Sequence, residues 1–484
     1  MNEPMTSALP SRHRPGALLL ALSAAALLGA CATPNTPSAE SAGIAVPATW
    51  STGATTNTSS STATDLAQWW QRFNDPALGA LVTQALQANP GVRSAQAALL
   101  QARAQRDVQQ ANNGPSLSAS GSAQRSRSGT ADASSRFQAG FDASWEPDLF
   151  GGNRASLDAS EAEARASETS LADVQVSLAA EVAASLIELR GLQSRLDIAQ
   201  RNLAAQSETL QITRWRVQAG LASSLDLEQA IAAQAQTQAQ IPALQTSLAQ
   251  ARNALSVLTG QAPGALDATL GAVAPVPQPP ADIALSLPAE TLRQRPDVRT
   301  AEHRISAALA RVVAADAARY PSFRLGGSLG LSALTLGTLT DGASVVRSLL
   351  ASVSAPLLDG GAAKAQMRAQ EAALEQARAG YASTVLTALQ DVEDALVAIQ
   401  GDRERLARLQ TAAEAAVNAE LLARQRYQSG LIDFRTVLDT QRTLLSAQDS
   451  VASAQASLAT GHVRLYKALG GGWTPDTAAP SATR

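Results

Sequence analysis

Strict alternation of apolar and polar residues marks one short segment of the chain. In FQAGFDASWE, residues 137–146, every second side chain is Phe, Ala or Trp, and the positions between them carry small or polar groups. A period of two predicts a β-strand with one apolar face. The rest of the chain is rich in Ala, Gln, Leu, Arg and Glu, which favour helices. The strand is therefore expected to accompany long helices.

Three further segments alternate in the same way, which gives two strand pairs. The predicted strands cover residues of about 115–125, 136–147, 321–333 and 345–356. Segments of this length with one apolar and one small, polar face are typical of transmembrane β-barrels. A soluble antiparallel sheet with one face on a core shows the same pattern. The alternation alone leaves both interpretations open.

Long proline-free segments with an apolar heptad pattern follow each strand pair. Val or Leu recurs every seven residues from Val182 to Val217, and apolar residues step by four and three from Val385 to Ile399. A sustained heptad predicts supercoiled helices. At 1.5 Å per residue the longest would extend about 100 Å. The predicted long helices cover residues 153–218, 223–259, 360–428 and 433–469.

This order of elements occurs twice, which defines an internal two-fold repeat over residues 65–265 and 266–473. Each copy has a moderate helix, a strand pair, a very long helix, a Gly-Leu turn and a second long helix. Four strands per chain are too few for a membrane barrel, because the smallest have about eight and an open edge cannot face hydrocarbon. Several chains must therefore share one barrel.

The N-terminus carries an export signal. Arg12 and Arg14 precede an apolar run from Ala17 to Leu28, which is too short to span a bilayer as a helix. Residues 1–30 are therefore predicted to be a signal peptide. Export favours the membrane barrel over the soluble sheet.

The end of this signal resembles a bacterial lipobox. Small residues precede Cys31, the single cysteine of the chain. Lipidation would place diacylglyceryl and N-acyl groups on Cys31 and anchor the chain to one leaflet. Residues 31–64 are rich in Ser, Thr and Pro and are predicted to be a flexible tether, and residues 474–484 are predicted to be a disordered tail.

Composition and charge argue against several classes of protein. The formal net charge is -3, so no basic surface for nucleic acid is expected. One cysteine and three histidines leave no zinc constellation, and no cofactor is expected. Residues 326–330 fit the hydrolase pattern G-x-S-x-G, but Ser328 lies within a predicted strand and only His462 follows it. The chain is therefore predicted not to be an enzyme.

Several short motifs occur in a fixed order along almost the whole chain. Together they resemble the lipoprotein branch of TolC-type outer-membrane efflux channels, the NodT/OprM-like factors, from Cys31 to Trp473. The motifs are Trp69-Trp70-x-x-Phe73-x-Asp75-Pro76-x-Leu78, Asn89-Pro90, Ser144-Trp145-Glu146-x-Asp148-Leu149-Phe150-Gly151, two Arg-x-x-x-Gly-Leu turns, Val437-Leu438-Asp439-x-Gln441-Arg442, and Tyr466-Lys467-Ala468-Leu469-Gly470-Gly471-Gly472-Trp473.

The resemblance implies an α+β membrane protein of the outer membrane, lipid-anchored, membrane-spanning and extending into the periplasm. Its implied form is a homotrimer with a 12-stranded transmembrane β-barrel, four strands per chain, continued by a coiled-coil periplasmic tunnel. Its implied function is passive conduction of drugs or other small molecules, and its implied partners are a periplasmic adaptor, an inner-membrane resistance-nodulation-division pump and outer-membrane lipid.

The resemblance also implies two functional sites. The turns at Gly220–Leu221 and Gly430–Leu431 would form the periplasmic tips where the adaptor docks. Asp439 and Arg442 would belong to a periplasmic gate. Arg435 replaces an apolar constriction residue common in the family, and we hypothesise that ion pairs from Arg435 to Asp439 hold the closed state; selection of anionic cargo is the alternative.

Other functions remain open from the sequence. A structural coiled-coil lipoprotein of the cell envelope would explain the heptads and Cys31, but it leaves the four alternating segments without a role. Within the class of channels, protein secretion and metal-ion efflux are alternatives to small-molecule efflux.

Overall fold

The structure, a computed structural model, describes residues 46–51, 66–279 and 288–474. The chain divides into two compact units, Met1–Ser38 and Ala39–Arg484, and every described residue belongs to the second. The predicted signal peptide and Cys31 lie outside the described residues, as do residues 475–484 of the predicted tail.

The helices and strands of the second unit follow one another in two copies of the same order. The first copy contains a 3-10 turn (Trp69–Phe73), α1 (Pro76–Ala88), α2 (Pro90–Asn112), β1 (Ser116–Ser126), β2 (Ser134–Trp145), α3 (Gly152–Gln218) and α4 (Ser224–Leu258). After the short α5 (Asp267–Leu270), the second copy contains α6 (Pro288–Gln294), α7 (Pro296–Ala317), β3 (Ser322–Ala333), β4 (Val345–Ser354), α8 (Ala362–Gln428) and α9 (Phe434–Ala468). Helices α3 and α8 both have 67 residues, and α4 and α9 both have 35.

The four strands form one antiparallel sheet in the order β1-β2-β3-β4. The register places Phe141 of β2 between Ala119 of β1 and Leu329 of β3, so that apolar residues of neighbouring strands share one face. On the other face a Cβ at Gly140 would lie only 2.9 Å from the Cα of Gly330. This close approach of two backbones requires glycine.

The long helices pack along an apolar seam. Val182 and Leu189 of α3 are fully buried, as the heptad predicts, and Leu186 between them is fully buried as well. Within the described residues, α3 is the one helix with a window long and apolar enough to cross a membrane, at a mean hydropathy of 1.4, and half of that window is buried in the protein. Its apolar residues are therefore largely used for packing against neighbouring helices.

An apolar core lies where the 3-10 turn, α1, α3, α8 and α9 meet. The Trp69 indole stacks on the Tyr466 ring with centroids 5.2 Å apart, and both side chains are buried. Fully burying one large apolar side chain contributes about 1.5–3 kcal/mol. This core therefore joins the two copies of the repeat.

A buried guanidinium ties the second copy to the end of α9. The Nη2 atom of Arg295 lies 2.7 Å from the Asp297 carboxylate and 3.0 Å from that of Asp391, and the Arg295 side chain is 10% exposed. Its Nη1 donates a hydrogen bond to the Ala468 carbonyl over 3.1 Å. Because this carbonyl belongs to the last turn of α9, the helix dipole adds to the attraction.

Residues 46–51 differ from the prediction of a flexible tether over residues 31–64. Trp50 is 3% exposed and belongs to the apolar core. The backbone amide of Ser51 donates a hydrogen bond to the Glu393 carboxylate over 2.6 Å. Burial of the indole compensates for the entropy lost by ordering so short a segment.

Candidate functional site

In each copy of the repeat one tight turn joins the two long helices into a hairpin. Gly220 and Gly430 have φ angles of 74° and 71°. Each following leucine amide donates to the carbonyl five residues earlier, over 2.7 Å for Leu221 and 2.9 Å for Leu431, which is the long-range bond of a Schellman motif. Leu221 and Leu431 are 77% and 74% exposed. Each turn therefore presents one apolar side chain outward.

The helix after each turn begins with its own cap. Ser223 and Asp226 form a capping box at the start of α4. At the start of α9 the Asp433 carboxylate accepts the Thr436 amide over 2.9 Å. The Thr436 hydroxyl, and then its amide, lower the pKa of Asp433. Both turns are thus fixed by caps on both sides.

Arg216 links one turn to the other. Its Nη1 and Nη2 atoms donate to the carbonyls of Tyr427 and Gln428 over 3.2 and 3.1 Å, and its Cζ lies 4.4 Å from the centroid of the Tyr427 ring. These carbonyls are in the last turn of α8, where the helix supplies no i+4 donors. The sequence motif identified an arginine four residues before each turn glycine, but we predicted no contact for it.

Arg435, Asp439 and Arg442 lie on an exposed face near the start of α9. The Nε atom of Arg435 is 3.9 Å from an Asp439 oxygen, and these side chains are 81% and 60% exposed. Within the described residues, Asp439 pairs with Arg435 and makes no ion pair with Arg442. The structure therefore places all three predicted gate residues on one solvent-accessible surface.

The helix interface beneath this face combines an apolar cluster next to the turns, which includes Leu210, Val437 and Leu438, with a polar layer further along the helices. In this layer three pairs connect α3 and α9, and the side-chain oxygens of Gln206 and Gln441 are buried without a hydrogen-bond partner. The pairs are Gln441 to Thr209 at 3.0 Å, Asn202 to Gln448 at 3.0 Å, and Arg195 to Asp449 at 2.6 Å. Periodicity did not predict this polar layer, because it registers only apolar positions.

The sheet exposes its apolar face. Phe141, Leu329 and Leu349 are 56%, 57% and 90% exposed. The register places Arg347 on the same face, opposite Leu329 and close to the loop between β3 and β4. A long arginine side chain at this end of a strand can reach lipid headgroups. Arg347 is not among the predicted site residues, although it falls on an alternating apolar position of its strand.

Ser328, the centre of the G-x-S-x-G match, lies within β3. Its hydroxyl is 2.7 Å from the Ser348 hydroxyl on β4. A nucleophile elbow requires a turn from strand to helix, which this position lacks. Within residues 46–51, 66–279 and 288–474, no group of three or more His, Cys, Asp or Glu side chains is placed to hold a metal ion.

The sequence matches the outer membrane efflux protein family over residues 81–261 and 287–471, one match in each copy of the repeat. It is 31% identical over 465 residues to outer membrane protein OprJ of Pseudomonas aeruginosa, covering 94% of this chain and 95% of OprJ. It is 34% identical over 461 residues to the pyoverdine export outer membrane protein OpmQ of Pseudomonas putida, covering 93% of this chain and 96% of OpmQ.

The structure is similar to that of the outer-membrane channel OprN, with a TM-score of 0.85 and 35% sequence identity. The match covers 91% of this chain and 99% of the OprN chain. It confirms the predicted fold class, in which four strands per chain contribute to a transmembrane barrel continued by a helical tunnel. The chain belongs to the outer membrane efflux protein family.

Proposed function

We propose that three copies of this chain form one passive channel for drugs or other small molecules across the outer membrane. Membership of the family makes the chain the outer-membrane component of an efflux system. The trimer, its partners and the roles of single residues are parts of the proposal.

The open four-stranded sheet carries the proposal. Strands β1 and β4 are its edges, and each has one unpaired side in the described chain. Unsatisfied backbone groups in hydrocarbon cost several kcal/mol each, so an open edge cannot remain in a membrane. If β4 pairs with β1 of the next chain, three sheets close a barrel larger than the eight-stranded minimum. The serine-rich face then lines a wet lumen.

The exposed leucines at the turns support docking of a periplasmic adaptor. Leu221 and Leu431 stand on rigid turns at the ends of the hairpins. An apolar side chain on a fixed turn can fill a pocket of a partner without losing backbone entropy on binding. The adaptor would connect the channel to an inner-membrane resistance-nodulation-division pump.

The charged face of α9 supports a gate near the same end. If this face lines the lumen, the three copies of Arg435, Asp439 and Arg442 form a ring of charged side chains around it. Opposite charges in this ring attract one another and like charges repel. Lipidation of Cys31 would add a membrane anchor to the barrel. That residue lies outside the described part of the chain.

Trimer formation and conductance test the channel. The purified mature protein should migrate as a heat-modifiable trimer on a gel and should give stepwise currents in planar lipid bilayers. A structural coiled-coil lipoprotein would give no currents. A soluble monomer that ignores detergent and liposomes would overturn the proposal.

Substitutions at the turns test docking separately. Leu221→Asp and Leu431→Asp should leave the trimer and its conductance intact, but should weaken capture of the adaptor and lower drug resistance in cells. Val273→Asp is the matched control, because Val273 is 68% exposed and lies in a loop outside the hairpins. Equal loss in the control, or no loss at the turns, would contradict docking at these leucines.

A further inference from the structure

The two hairpins are equivalent in sequence but not in contacts. Arg216 and Arg426 occupy the same position, four residues before the turn glycine, in helices of equal length. Arg216 is half-buried and caps the end of α8 in its own chain. Arg426 is exposed, and its guanidinium makes no hydrogen bond or ion pair to any described residue. Arg216 therefore binds the end of the neighbouring helix within its own chain, and Arg426 makes no such contact there.

The helix ends show the same asymmetry. The Gln428 carbonyl at the end of α8 accepts a hydrogen bond from Arg216. The Gln218 carbonyl at the end of α3 accepts none from any described residue. A helix C-terminus carries partial negative charge on such carbonyls, so it favours a guanidinium. Among the described residues of the two hairpin ends, the Arg426 guanidinium and the Gln218 carbonyl are thus without a hydrogen-bond partner, and by the repeat they correspond to the pair formed by Arg216 and Gln428.

A ring of three chains brings the two unused sites together. If the first hairpin (α3–α4) and the second hairpin (α8–α9) of each chain lie side by side, the two kinds alternate around such a ring. The second hairpin of one chain then faces the first hairpin of the next chain. A heterologous interface repeated in one direction closes a cyclic oligomer. We propose that Arg426 donates to the carbonyls of Val217 and Gln218 in the next chain, and so repeats between chains the contact that Arg216 makes within one chain. This inference rests on the proposed trimer.

The two contacts are not of equal strength. Tyr427, whose ring lies under Arg216, is replaced by Val217 at the equivalent position of the first hairpin. The contact between chains therefore lacks the cation–π component. The tips should separate between chains before they separate within a chain.

Cross-linking distinguishes the two contacts. The pair Gln218→Cys with Arg426→Cys, treated with a bis-maleimide about as long as an arginine side chain, should give covalent dimers and trimers on boiled gels. The matched pair Arg216→Cys with Gln428→Cys should give only an internally linked monomer of altered mobility. The unsubstituted chain, whose single cysteine is Cys31, is the blank.

The outcomes separate this inference from the proposed function. If the trimer forms and the control pair cross-links internally, but the 218–426 pair gives only monomers, the contact between chains is wrong and the channel remains. If no trimer forms even for the unsubstituted chain, the proposed function itself fails.

Hydrogen exchange of the trimer gives a second test that needs no cysteines. Arg426→Ala should increase exchange at residues 217–223 by about fivefold, the factor of an ordinary helix-end interaction. Arg216→Ala should do so at residues 427–433, and Arg408→Ala, another exposed arginine of α8, should affect neither. Unchanged exchange at residues 217–223 in Arg426→Ala would overturn the inference.

Discussion

Replacing Arg435 by leucine tests whether the charged face of α9 holds the channel closed. The Arg435–Asp439 pair spans 3.9 Å, and its side chains are 81% and 60% exposed. An exposed helical pair contributes about 0.3–0.5 kcal/mol, and less when the positive residue comes first along the helix. If opening breaks all three copies of this pair, they favour the closed state by about 1 kcal/mol in total; this is an upper bound, because a pair within one helix contributes nothing to gating where it persists in the open state. That is about a fivefold change in the ratio of closed to open channels.

This small free energy limits how strongly the Arg435–Asp439 pair can hold the channel closed. Moving a channel from almost always closed to almost always open requires about 5.5 kcal/mol. Three exposed pairs within the chains supply a small part of that amount. We therefore expect Arg435→Leu to raise the open probability by at most about fivefold in dilute salt, and hardly at all in 1 M salt, where the screening length is about 3 Å.

Single-channel recordings in planar bilayers, with drug resistance measured in cells, check this expectation. Arg435→Lys keeps the charge and is the control. A variant with unchanged open probability, conductance and resistance would refute any gating role for Arg435. An increase far above fivefold that persists in 1 M salt would refute the estimate, because it would require desolvated pairs between chains.

Three further substitutions test the sheet, the buried arginine and the buried histidine. Phe141→Arg should cost about 2–4 kcal/mol on the lipid face and prevent insertion into membranes, whereas Gln138→Arg on the opposite face should insert normally; equal loss would contradict the assignment of faces. Arg295→Met should destabilise the protein by about 2 kcal/mol, because it leaves two carboxylates unpaired, one of them half-exposed; an unchanged dissociation temperature of the trimer would contradict this. The Nε2 atom of His462 accepts a hydrogen bond from Arg403, its Nδ1 donates one to the Leu458 carbonyl, and burial lowers the pKa of His462. Because the unfolded state then binds a proton more readily than the folded state, the contribution of neutral His462 to the free energy of unfolding is complete above about pH 6.5 and falls as the pH drops below it. His462→Gln should flatten this part of the profile of melting temperature against pH, and an unchanged profile would exclude His462 as its source.

Local periodicity predicts the strands, and it predicts which residues of α3 are buried around Val182 to Leu189. The strand register follows from alternation, because a slip of one residue would turn Phe141 to the other face. The heptad from Val182 to Leu189 is buried. Further along α3, Leu196 and Leu203 are only half-buried, whereas Leu210, the next residue of the heptad, is buried again. Burial in the middle of the helix therefore does not follow from the heptad alone.

Contacts between hairpins could not be predicted in this way. Spacing along a helix allows Asp439 to pair with either Arg435 or Arg442, and the side-chain rotamers decide for Arg435. The partner of Arg216 lies 211 residues away in sequence, so it depends on how two hairpins are rotated about their axes. Trp50 was hidden in a Ser- and Thr-rich segment whose composition indicated a tether.

The strength of the packing between α3 and α9 changes along their length. Near Trp69 and Tyr466 the helices share an apolar core in which each large side chain contributes about 1.5–3 kcal/mol. Towards the turns they first meet through hydrogen bonds worth about 1 kcal/mol each, and the unpaired acceptors of Gln206 and Gln441 each cost about as much as one of these bonds contributes. Next to the turns lies a smaller apolar cluster, which includes Leu210 of α3 and Val437 and Leu438 of α9. The end of the α8–α9 hairpin that carries Asp439 is therefore held by a smaller apolar core than the end near Trp69. Separation of the hairpins at that end can leave the larger core around Trp69 intact, but it has to open the apolar cluster around Leu210 and to break the contact of Arg216 with the end of α8.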